Sequence, residues 1–281
     1  RYGKAIEPLL CLSIDFYVRL FVRLKNSPAS VKMLPSTSMI TYLCSGCGSW
    51  VNQPMGRVTN TEKVKTKFSN APGPTASSNC QHCGFKSHIA GPMWAGALHD
   101  KEFVSKMLET AKTLDPNVYP TRPRIEGMLT LALEELPGPF FFTPSRLASK
   151  LHSSTPPHSE LLSALLNAGF KVSASHCIPG SIKTDASNED IWDIMRQWIK
   201  ENPIKEENVK DGTVAKTILE KRDPSFQVSF EEHVGIAALG RRPKLVRYQR
   251  NPTKNWGPGT KSKRKTLPVL EAVGEAETRK R

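Results

Sequence analysis

Apolar and polar residues alternate along the first part of the chain, between residues 11 and 25. One side of an extended backbone carries Phe16, Val18, Leu20, Val22 and Leu24. A period of two in β-branched and aromatic residues predicts one strand over this segment. Because so apolar a strand needs sheet neighbours and few candidates lie nearby, we expect them in sequence preceding Arg1. The chain also begins with Arg rather than Met, which favours a fragment of a longer protein.

The pattern then changes to loops and two helices. Residues 26–38 predict a loop, Met39–Leu43 a short strand, and residues 51–79 a long polar insertion. Asp100 is the predicted N-cap of one helix, and Pro123 opens a second helix that Pro137 ends. Apolar residues recur at helical spacing in both helices, so we expect them to be core.

Residues 143–185 have a different pattern of predicted elements. Thr143 and Pro144 begin a short helix, a turn follows, and a leucine-rich helix stops at Gly169. Two short strands joined by Pro179-Gly180 complete the order helix, turn, helix, hairpin, which is that of a winged helix. Ser187 caps a further helix, and Phe226–Phe230 predicts a last strand. Little independent core is expected after Gly240.

Charge changes this picture at the C-terminus. The formal net charge is +14, and residues 241–265 hold ten Lys or Arg with no acidic residue. Such an excess attracts polyanions, as in a segment that contacts phosphates. A solvated, disordered tail has the same composition, and this alternative stays open for residues 241–281.

The cysteines supply the clearest chemistry. Cys44 and Cys47, and likewise Cys80 and Cys83, are separated by two residues and followed by glycine, with 32 residues between the pairs. This spacing lets both sulfurs of a turn reach one zinc ion, and the glycine permits backbone amides to point at the thiolates. We therefore predict a structural Zn²⁺ on four cysteines, with no open coordination position and no catalytic role.

Alternatives to this zinc site are weaker. A redox C-x-x-C pair is disfavoured because two matched pairs are present, and His82 or His88 would be needed as ligands only if a cysteine were unavailable. Cys11 and Cys177 are predicted to be inert core thiols. No Gly-x-Gly-x-x-Gly, Walker, Gly-x-Ser-x-Gly or His-Glu-x-x-His motif occurs. Glu134 and Glu135 are predicted on a solvated helix face and His99 on the surface, so no self-sufficient active site is expected.

A set of ordered motifs then carries a resemblance. They are Ile6–Leu10, Ser13–Arg19, the two cysteine pairs, Gly91–Trp94, Leu98–Asp100, Lys183–Ala186 and Asn255–Pro258. Together they closely resemble the C-terminal half of the tRNA (guanine-26, N2)-dimethyltransferase family, from Tyr2 to about Pro258. The resemblance implies S-adenosylmethionine-dependent methylation of guanine 26 in tRNA. It also implies that the cofactor loop and catalytic motif lie upstream, so no catalytic or cofactor residue is assigned here.

The predicted fold class is α+β, in four parts. Residues 1–38 are the end of a Rossmann-like methyltransferase sheet, 39–140 a four-cysteine zinc-knuckle segment with helices, 141–240 a winged-helix-like tRNA-binding domain and 241–281 a basic tail. The candidate RNA contacts are Arg146, Lys150, Lys171, Lys183, Arg241, Arg242, Lys244, Arg247, Arg250 and Trp256.

The predicted partner is tRNA, with no membrane and no obligate protein partner, and the fragment alone is expected to be inactive. Localisation to the nucleus or the mitochondrion is expected, and the basic cluster Lys261–Lys265 favours the nucleus. Two alternatives remain. One is a zinc-ribbon and winged-helix binding module that is not part of an enzyme, and the other is a structural interaction protein in which zinc only stabilises the fold.

Overall fold

A β-hairpin begins the chain in this computed structural model, which describes residues 2–61, 64–240 and 244–248. β1 (Lys4–Ile14) pairs antiparallel with β2 (Tyr17–Asn26) through a turn at Asp15, whose φ of 46° is left-handed. The predicted single strand over residues 11–25 is therefore wrong. A tight turn preserves a period of two on both sides, so the pattern hides it, and the neighbour of β2 is β1.

The segment after the hairpin is helical rather than the predicted loop. α1 (Pro28–Met33) is followed by a 3₁₀ turn at Leu34–Thr37. The Ser27 hydroxyl accepts a hydrogen bond from the Ser30 N–H at 3.2 Å, and Pro28 stands in the first turn. Both features favour the start of a helix. The capping hydroxyl accepts from an N–H that has no partner within the helix, and the proline ring already fixes φ near the helical value.

A three-stranded antiparallel sheet has the order β4–β3–β7, with β3 at Ser38–Cys44, β4 at Trp50–Pro54 and β7 at Ser87–Trp94. The predicted strand at Met39–Leu43 is thus present. The predicted polar insertion is only partly irregular, because β5 (Gly56–Thr61) and β6 (Val64–Asn70) pair within it.

Two helices pack against the first hairpin. α2 (Lys101–Thr113) and α3 (Arg122–Glu134) meet β1 around a core that includes Leu10, Leu12 and Leu129. The Asp100 side chain accepts from the Phe103 N–H at 2.9 Å, which confirms the predicted cap, worth ~1 kcal/mol. The start of α3 at Arg122, with Pro123 in its first turn, is also as predicted.

The larger core lies in residues 141–240. The predicted order is present as α4 (Pro144–Leu151), α5 (His158–Asn167), β8 (Val172–Ala174) and β9 (Ile182–Thr184), followed by α6 (Asn188–Glu201) capped by Ser187. Phe142 adds a bridge to Ile182 of β9, so the hairpin gains a third short partner. Apolar faces of α4, α5 and α6 meet there, around Leu151, Leu165 and Trp192.

Residues 202–240 wrap this core. α7 (Val214–Glu220) and α8 (Val234–Gly240) occur here, with a 3₁₀ turn at Glu206–Asn208. The predicted strand at Phe226–Phe230 is wrong, because that segment has no strand pairing and packs against the core through its apolar side chains. Phe226 contacts Phe170, and Phe230 contacts Trp198, both edge-to-face. Aromatic packing rather than sheet pairing accounts for its apolar pattern.

A buried carboxylate fixes this wrapping segment. Asp193 of α6 is fully buried and accepts from Arg196, from Arg222 at 2.7 Å, and from the Ser225 amide and hydroxyl at 3.0 and 2.6 Å. Such a charge is tolerated in a core only when it is paired and hydrogen-bonded.

Val246 and Arg247 contact the preceding elements, and the expectation of little independent core after Gly240 stays a prediction. The backbone of Val246 lies so close to Gly127 of α3 that a Cβ at that position would clash with the Val246 carbonyl oxygen. Arg1–Arg247 cluster as one compact unit, and the predicted domain boundaries within it stay a prediction. In the described residues, no helix combines the length and apolarity that crossing a bilayer requires.

Candidate metal centre

Strand pairing brings the four cysteines together. Cys44 ends β3, Cys47 follows in the next turn, and Cys80 and Cys83 lie in the turn that precedes β7. Because β3 pairs with β7, with Cys44 opposite Ser87, the two turns meet at one end of the sheet. The 32-residue insertion between the two cysteine pairs starts and finishes at this end of the sheet. Its length is therefore compatible with one site.

The sulfur distances match one tetrahedral ion. Cys44 Sγ lies 3.4 Å from Cys83 Sγ, Cys47 Sγ lies 3.7 Å from Cys80 Sγ, and all four sulfurs are within 4.8 Å of one another. A Zn–S bond of ~2.3 Å in tetrahedral geometry gives sulfur–sulfur edges of ~3.8 Å. The cysteine cluster, meaning these four residues, therefore fits zinc without rearrangement of its backbone.

Both turns have the same backbone geometry. The Cys44 N–H donates to Ser49 O at 2.9 Å and the Gly48 N–H to Cys44 O at 3.2 Å. The Cys80 N–H likewise donates to Phe85 O at 2.7 Å and the Gly84 N–H to Cys80 O at 2.8 Å. Gly48 and Gly84 have φ of 79° and 76°, which side chains disfavour. The predicted reason for the paired glycines is thus confirmed.

Amides in these turns face the sulfurs. The Ser49 N–H donates to Cys47 Sγ at 3.5 Å and the His82 N–H to Cys80 Sγ at 3.4 Å. Hydrogen bonds within the cluster lower the pKa of Cys80 and raise the pKa of Cys47 far above its ordinary value, as expected when neighbouring sulfurs share one negative charge. Four thiolates this close would need a cation between them, which a divalent metal would supply.

The cysteine cluster is joined to the larger core. Cys44, Cys47 and Cys83 are buried within that core. The Trp192 indole donates to Ser49 Oγ at 2.9 Å, and the Asn188 amide donates to Trp50 O at 2.8 Å. A metal here would brace the contact between the three-stranded sheet and α6, which is a structural task.

The histidines near the cysteines are not ligands. Within the described residues, the group close enough to share an ion holds the four cysteines without His82 or His88. His88 is exposed on β7, and burial lowers the pKa of His82, which lies with its ring beside the Gln81 amide.

A second polar cluster was missed from the sequence. The Glu135 cluster comprises His99, Glu135, His176 and Lys183, which come from the start of α2, the end of α3, the β8–β9 loop and β9. Glu135 is 4% exposed and Lys183 also 4%. The predictions that Glu135 is solvated, that His99 is a surface residue and that Lys183 contacts RNA are therefore wrong.

Lys183 is satisfied inside this cluster. Its ammonium lies 2.7 Å from Glu135 Oε1 and donates to Gly138 O at 2.7 Å. The same carboxylate accepts from Ser175 Oγ at 3.2 Å and from His176 Nδ1 at 2.6 Å, and His99 Nε2 lies 3.6 Å away. Burial raises the pKa of Glu135, but contacts with His176, His99 and Lys183 lower it far below the ordinary carboxyl value.

His99, Glu135 and His176 are ligand types within reach of one ion, yet their charges and hydrogen bonds oppose a metal. The Lys183 ammonium already neutralises the carboxylate. If the neutral His176 ring bound a metal through Nδ1, its proton would be on Nε2. That position is already occupied by the Ser13 N–H, which donates to Nε2 at 3.0 Å, so the two arrangements are incompatible.

The Ser13 amide also defines the ring state. Burial lowers the pKa of His176, whereas hydrogen bonds with Cys177 and Glu135 raise it. The second effect is larger, so the pKa is above the ordinary histidine value. The Ser13 N–H opposes that increase, because only an unprotonated Nε2 accepts it. We take the ring as neutral, since the amide belongs to the backbone of β1 and cannot turn away.

Cys177 was predicted to have apolar surroundings, and this is wrong. Its sulfur lies 3.4 Å from His176 Nε2, and its backbone N–H donates to Ser175 Oγ at 3.3 Å. Burial raises the pKa of Cys177, and its hydrogen bond with His176 would lower that pKa only if Nε2 carried a proton. With the ring neutral, Nε2 accepts from the sulfur, so we take Cys177 as a thiol. For Cys11, half-burial raises the pKa, as expected of an inert thiol.

The remaining candidate RNA contacts have several locations. Arg146, Lys171 and Lys244 are exposed, and Lys150 is half-buried. Arg247 instead donates to Ser175 O at 2.7 Å and to His176 O at 3.1 Å, so its guanidinium holds the backbone of the β8–β9 loop. This corrects the prediction that it contacts RNA. The others, Arg241, Arg242, Arg250 and Trp256, lie outside the described residues.

A cavity beside the cysteine cluster was not expected from the sequence. It has a volume of about 450 Å³ and lies between the Cys44–Trp50 turn, α4 and α6. Arg146 and Lys150 line it, one helical turn apart on α4. Only the helical spacing of these two cations pointed towards a shared surface.

Comparisons with known proteins agree with this description. Residues 1–196 match the family described as N2,N2-dimethylguanosine tRNA methyltransferase. The chain is 48% identical to a Schizosaccharomyces pombe tRNA (guanine(26)-N(2))-dimethyltransferase, over 97% of this chain and 50% of that protein. It is 39% identical to the Homo sapiens protein of the same name, over 98% of this chain and 41% of that protein. The chain thus spans about half or less of the length of these relatives.

A solved structure is similar in fold. Trm1 from Pyrococcus horikoshii, described as a complex with S-adenosyl-L-methionine, superposes with a TM-score of 0.51 at 24% identity. The similarity covers 68% of this chain and 43% of that chain. It supports a mixed α+β fold.

Proposed function

The chain belongs to the N2,N2-dimethylguanosine tRNA methyltransferase family, and we propose that it supplies the zinc-stabilised, tRNA-holding part of a tRNA (guanine-26, N2)-dimethyltransferase. The observation that carries the proposal is the cysteine cluster, which joins the sheet to a helical region on which Arg146, Lys150 and Lys171 are accessible. The helix–helix–hairpin region would act as a winged-helix-like RNA-binding domain, with the basic segment after residue 240 as a further candidate contact.

Phosphate contact is the physical basis of this role. Arg146, Lys150 and Lys171 are accessible around α4 and β8, and the net charge of +14 favours a polyanion. Protein recognition of a folded RNA depends strongly on shape and backbone charge, which a basic surface without a catalytic motif can provide. Nuclear or mitochondrial localisation stays a prediction, and the Lys261–Lys265 cluster lies outside the described residues.

The methyl donor proposed for the whole enzyme is S-adenosylmethionine. The sequence has no glycine-rich cofactor loop, and the buried acid Glu135 is committed to Lys183 and His176. We therefore assign no cofactor contact or catalytic step to these residues. The hairpin β1–β2 is proposed as the edge at which the methyltransferase sheet of the whole enzyme meets this chain. No observation favours a binding module without an enzymatic parent.

Two measurements test the proposal on the purified chain. A filter-binding titration with unmodified tRNA should show affinity that falls steeply with salt, because released counterions drive phosphate binding. Incubation with tRNA and S-adenosylmethionine should give no methyl transfer by the chain alone. Binding that ignores salt would remove the proposed phosphate contacts, and efficient methyl transfer would show that the chain contains the catalytic centre.

A further inference from the structure

We propose that the 450 Å³ cavity between the Cys44–Trp50 turn, α4 and α6 receives one unstacked nucleotide of the tRNA, with its base inside and its phosphate at Arg146 and Lys150. This inference rests on the proposed function and specifies where that function takes place. The cavity is in the size range of small-ligand sites, which begins at ~300 Å³.

The lining of the cavity suits a base. Its inner wall is apolar, formed by Leu147, Ile191 and Trp192, all of which are buried. Trp50 and Phe141 are half-buried at the cavity and offer aromatic surface. Trp50 is held in place from outside, because Phe140 packs edge-to-face on it with ring centres 5.5 Å apart. A fixed aromatic ring beside an apolar wall is the usual platform for an unpaired base.

The charge at the cavity suits a phosphate. Arg146 and Lys150 occupy the same face of α4, and the described residues that line the cavity include no Asp or Glu. Neither cation has a carboxylate partner among the described ion pairs. Ser145, Ser149 and Asn188 supply polar side chains near the same opening. Cations beside an aromatic platform, without acidic neighbours, distinguish a nucleotide from an apolar ligand.

The cysteine cluster shapes this site. Cys44 and Cys47 line the cavity, and the Asn188 side chain holds the carbonyl of Trp50 at 2.8 Å. The turn that presents Trp50 is therefore fixed at one end by the proposed metal ligands and at the other by α6. A structural metal would then act on tRNA binding by positioning Trp50, without contacting the RNA.

The test compares stacking with charge. Dissociation constants for unmodified tRNA are measured over a range of salt for Trp50→Leu, Trp50→Phe and Arg146→Gln, with Lys112→Gln as the control on the exposed face of α2. Trp50→Leu should weaken binding by a factor on the order of ten, with the salt slope unchanged. Arg146→Gln should weaken binding and reduce the slope by about one. Trp50→Phe should weaken binding less than Trp50→Leu, because an aromatic ring remains, and Lys112→Gln should bind as wild type.

A second probe reports the base directly. A five-nucleotide single-stranded RNA with a central 2-aminopurine should lose fluorescence on binding to wild type and to Trp50→Phe, and keep it with Trp50→Leu. Arg146 is exposed, so its variant is informative even if Trp50→Leu loses structure, which a zinc assay and a melting curve would reveal.

The outcomes separate the two proposals. If wild type binds tRNA in a salt-dependent way but Trp50→Leu and Arg146→Gln match it, the nucleotide site is wrong and the proposed function stands. Absence of 2-aminopurine quenching by wild type leads to the same conclusion. If wild type does not bind tRNA even at low salt, the proposed function itself fails.

Discussion

The cysteine cluster and the Glu135 cluster both gather metal-ligand side chains from separate segments to within 4.8 Å of one another. They differ in charge. Among the described residues, the hydrogen-bond partners of the four sulfurs are one another, backbone amides and the Ser49 hydroxyl, so their full ionisation requires an external cation. The Glu135 carboxylate has the Lys183 ammonium 2.7 Å away and further donors from Ser175 and His176.

This difference teaches that proximity of ligand types does not define a metal site. The balance of charge and the positions of protons decide which cluster accepts an ion. We propose one cluster as a site for a cation, whereas the other is a buried ion pair that joins β1, α2, α3 and the β8–β9 hairpin. Both connect distant segments, but only the first should respond to a metal chelator.

The largest expected effect is that of Cys80→Ser. Structural zinc contributes ~10–16 kcal/mol in zinc-finger peptides, which is comparable to the whole stability of a domain of ~5–15 kcal/mol. We expect loss of bound zinc, loss of fixed structure in residues 39–99 and weaker tRNA binding, measured by elemental analysis and near-ultraviolet circular dichroism. Cys11→Ser is the matched control and should retain zinc. Retention of a full zinc equivalent by Cys80→Ser would contradict the four-sulfur assignment.

A smaller effect is expected for Glu135→Gln. It leaves the Lys183 charge buried without its partner, and breaking such a pair costs ~3–5 kcal/mol. Chemical denaturation should show this loss, whereas Glu102→Gln should change the free energy of unfolding far less, because solvent screens its exposed pair with Lys106. Zinc content should stay unchanged in both. The double variant Glu135→Met with Lys183→Met should recover much of the loss, and its failure to do so would point to the histidines instead.

The smallest effect is on acid sensitivity. The pKa of Glu135 is depressed in the folded chain, so its stabilisation is present above the ordinary value of 4.5 and is lost as pH falls through the folded value. The stability difference between wild type and Glu135→Gln should therefore be constant above about pH 5 and shrink progressively as the pH falls below that value. Acid also releases zinc, but it does so in both proteins, so the difference isolates Glu135. A difference that grows on acidification would reverse the assigned sign.

Sequence reasoning found the cysteine cluster because all of its information is local. Each motif of two cysteines and a following glycine determines its turn geometry within five residues. The motif at Cys44, Cys47 and Gly48 occurs again from Cys80 onward. The Asp100 cap and the order of elements from Thr143 to Ser187 were accessible for the same reason.

The Glu135 cluster could not be found in this way. Lys183 lies in a short strand and Glu135 at a helix end, where exposure is the usual outcome for charged residues. Their burial depends on the approach of α3 to the β8–β9 hairpin, which no local pattern records. The hairpin turn at Asp15 was missed because alternation continued across it, whereas the Ser27-Pro28 helix start was a signal present in the sequence and overlooked.

X-ray absorption spectroscopy at the zinc edge, combined with the zinc content of the wild-type chain, tests the central comparison most directly. The account predicts one zinc per chain with four sulfur neighbours at ~2.3 Å and no nitrogen or oxygen neighbour. Two zinc ions per chain, or a first shell that contains nitrogen or oxygen, would contradict the separation of the two clusters, and a chain without zinc would contradict the metal centre itself.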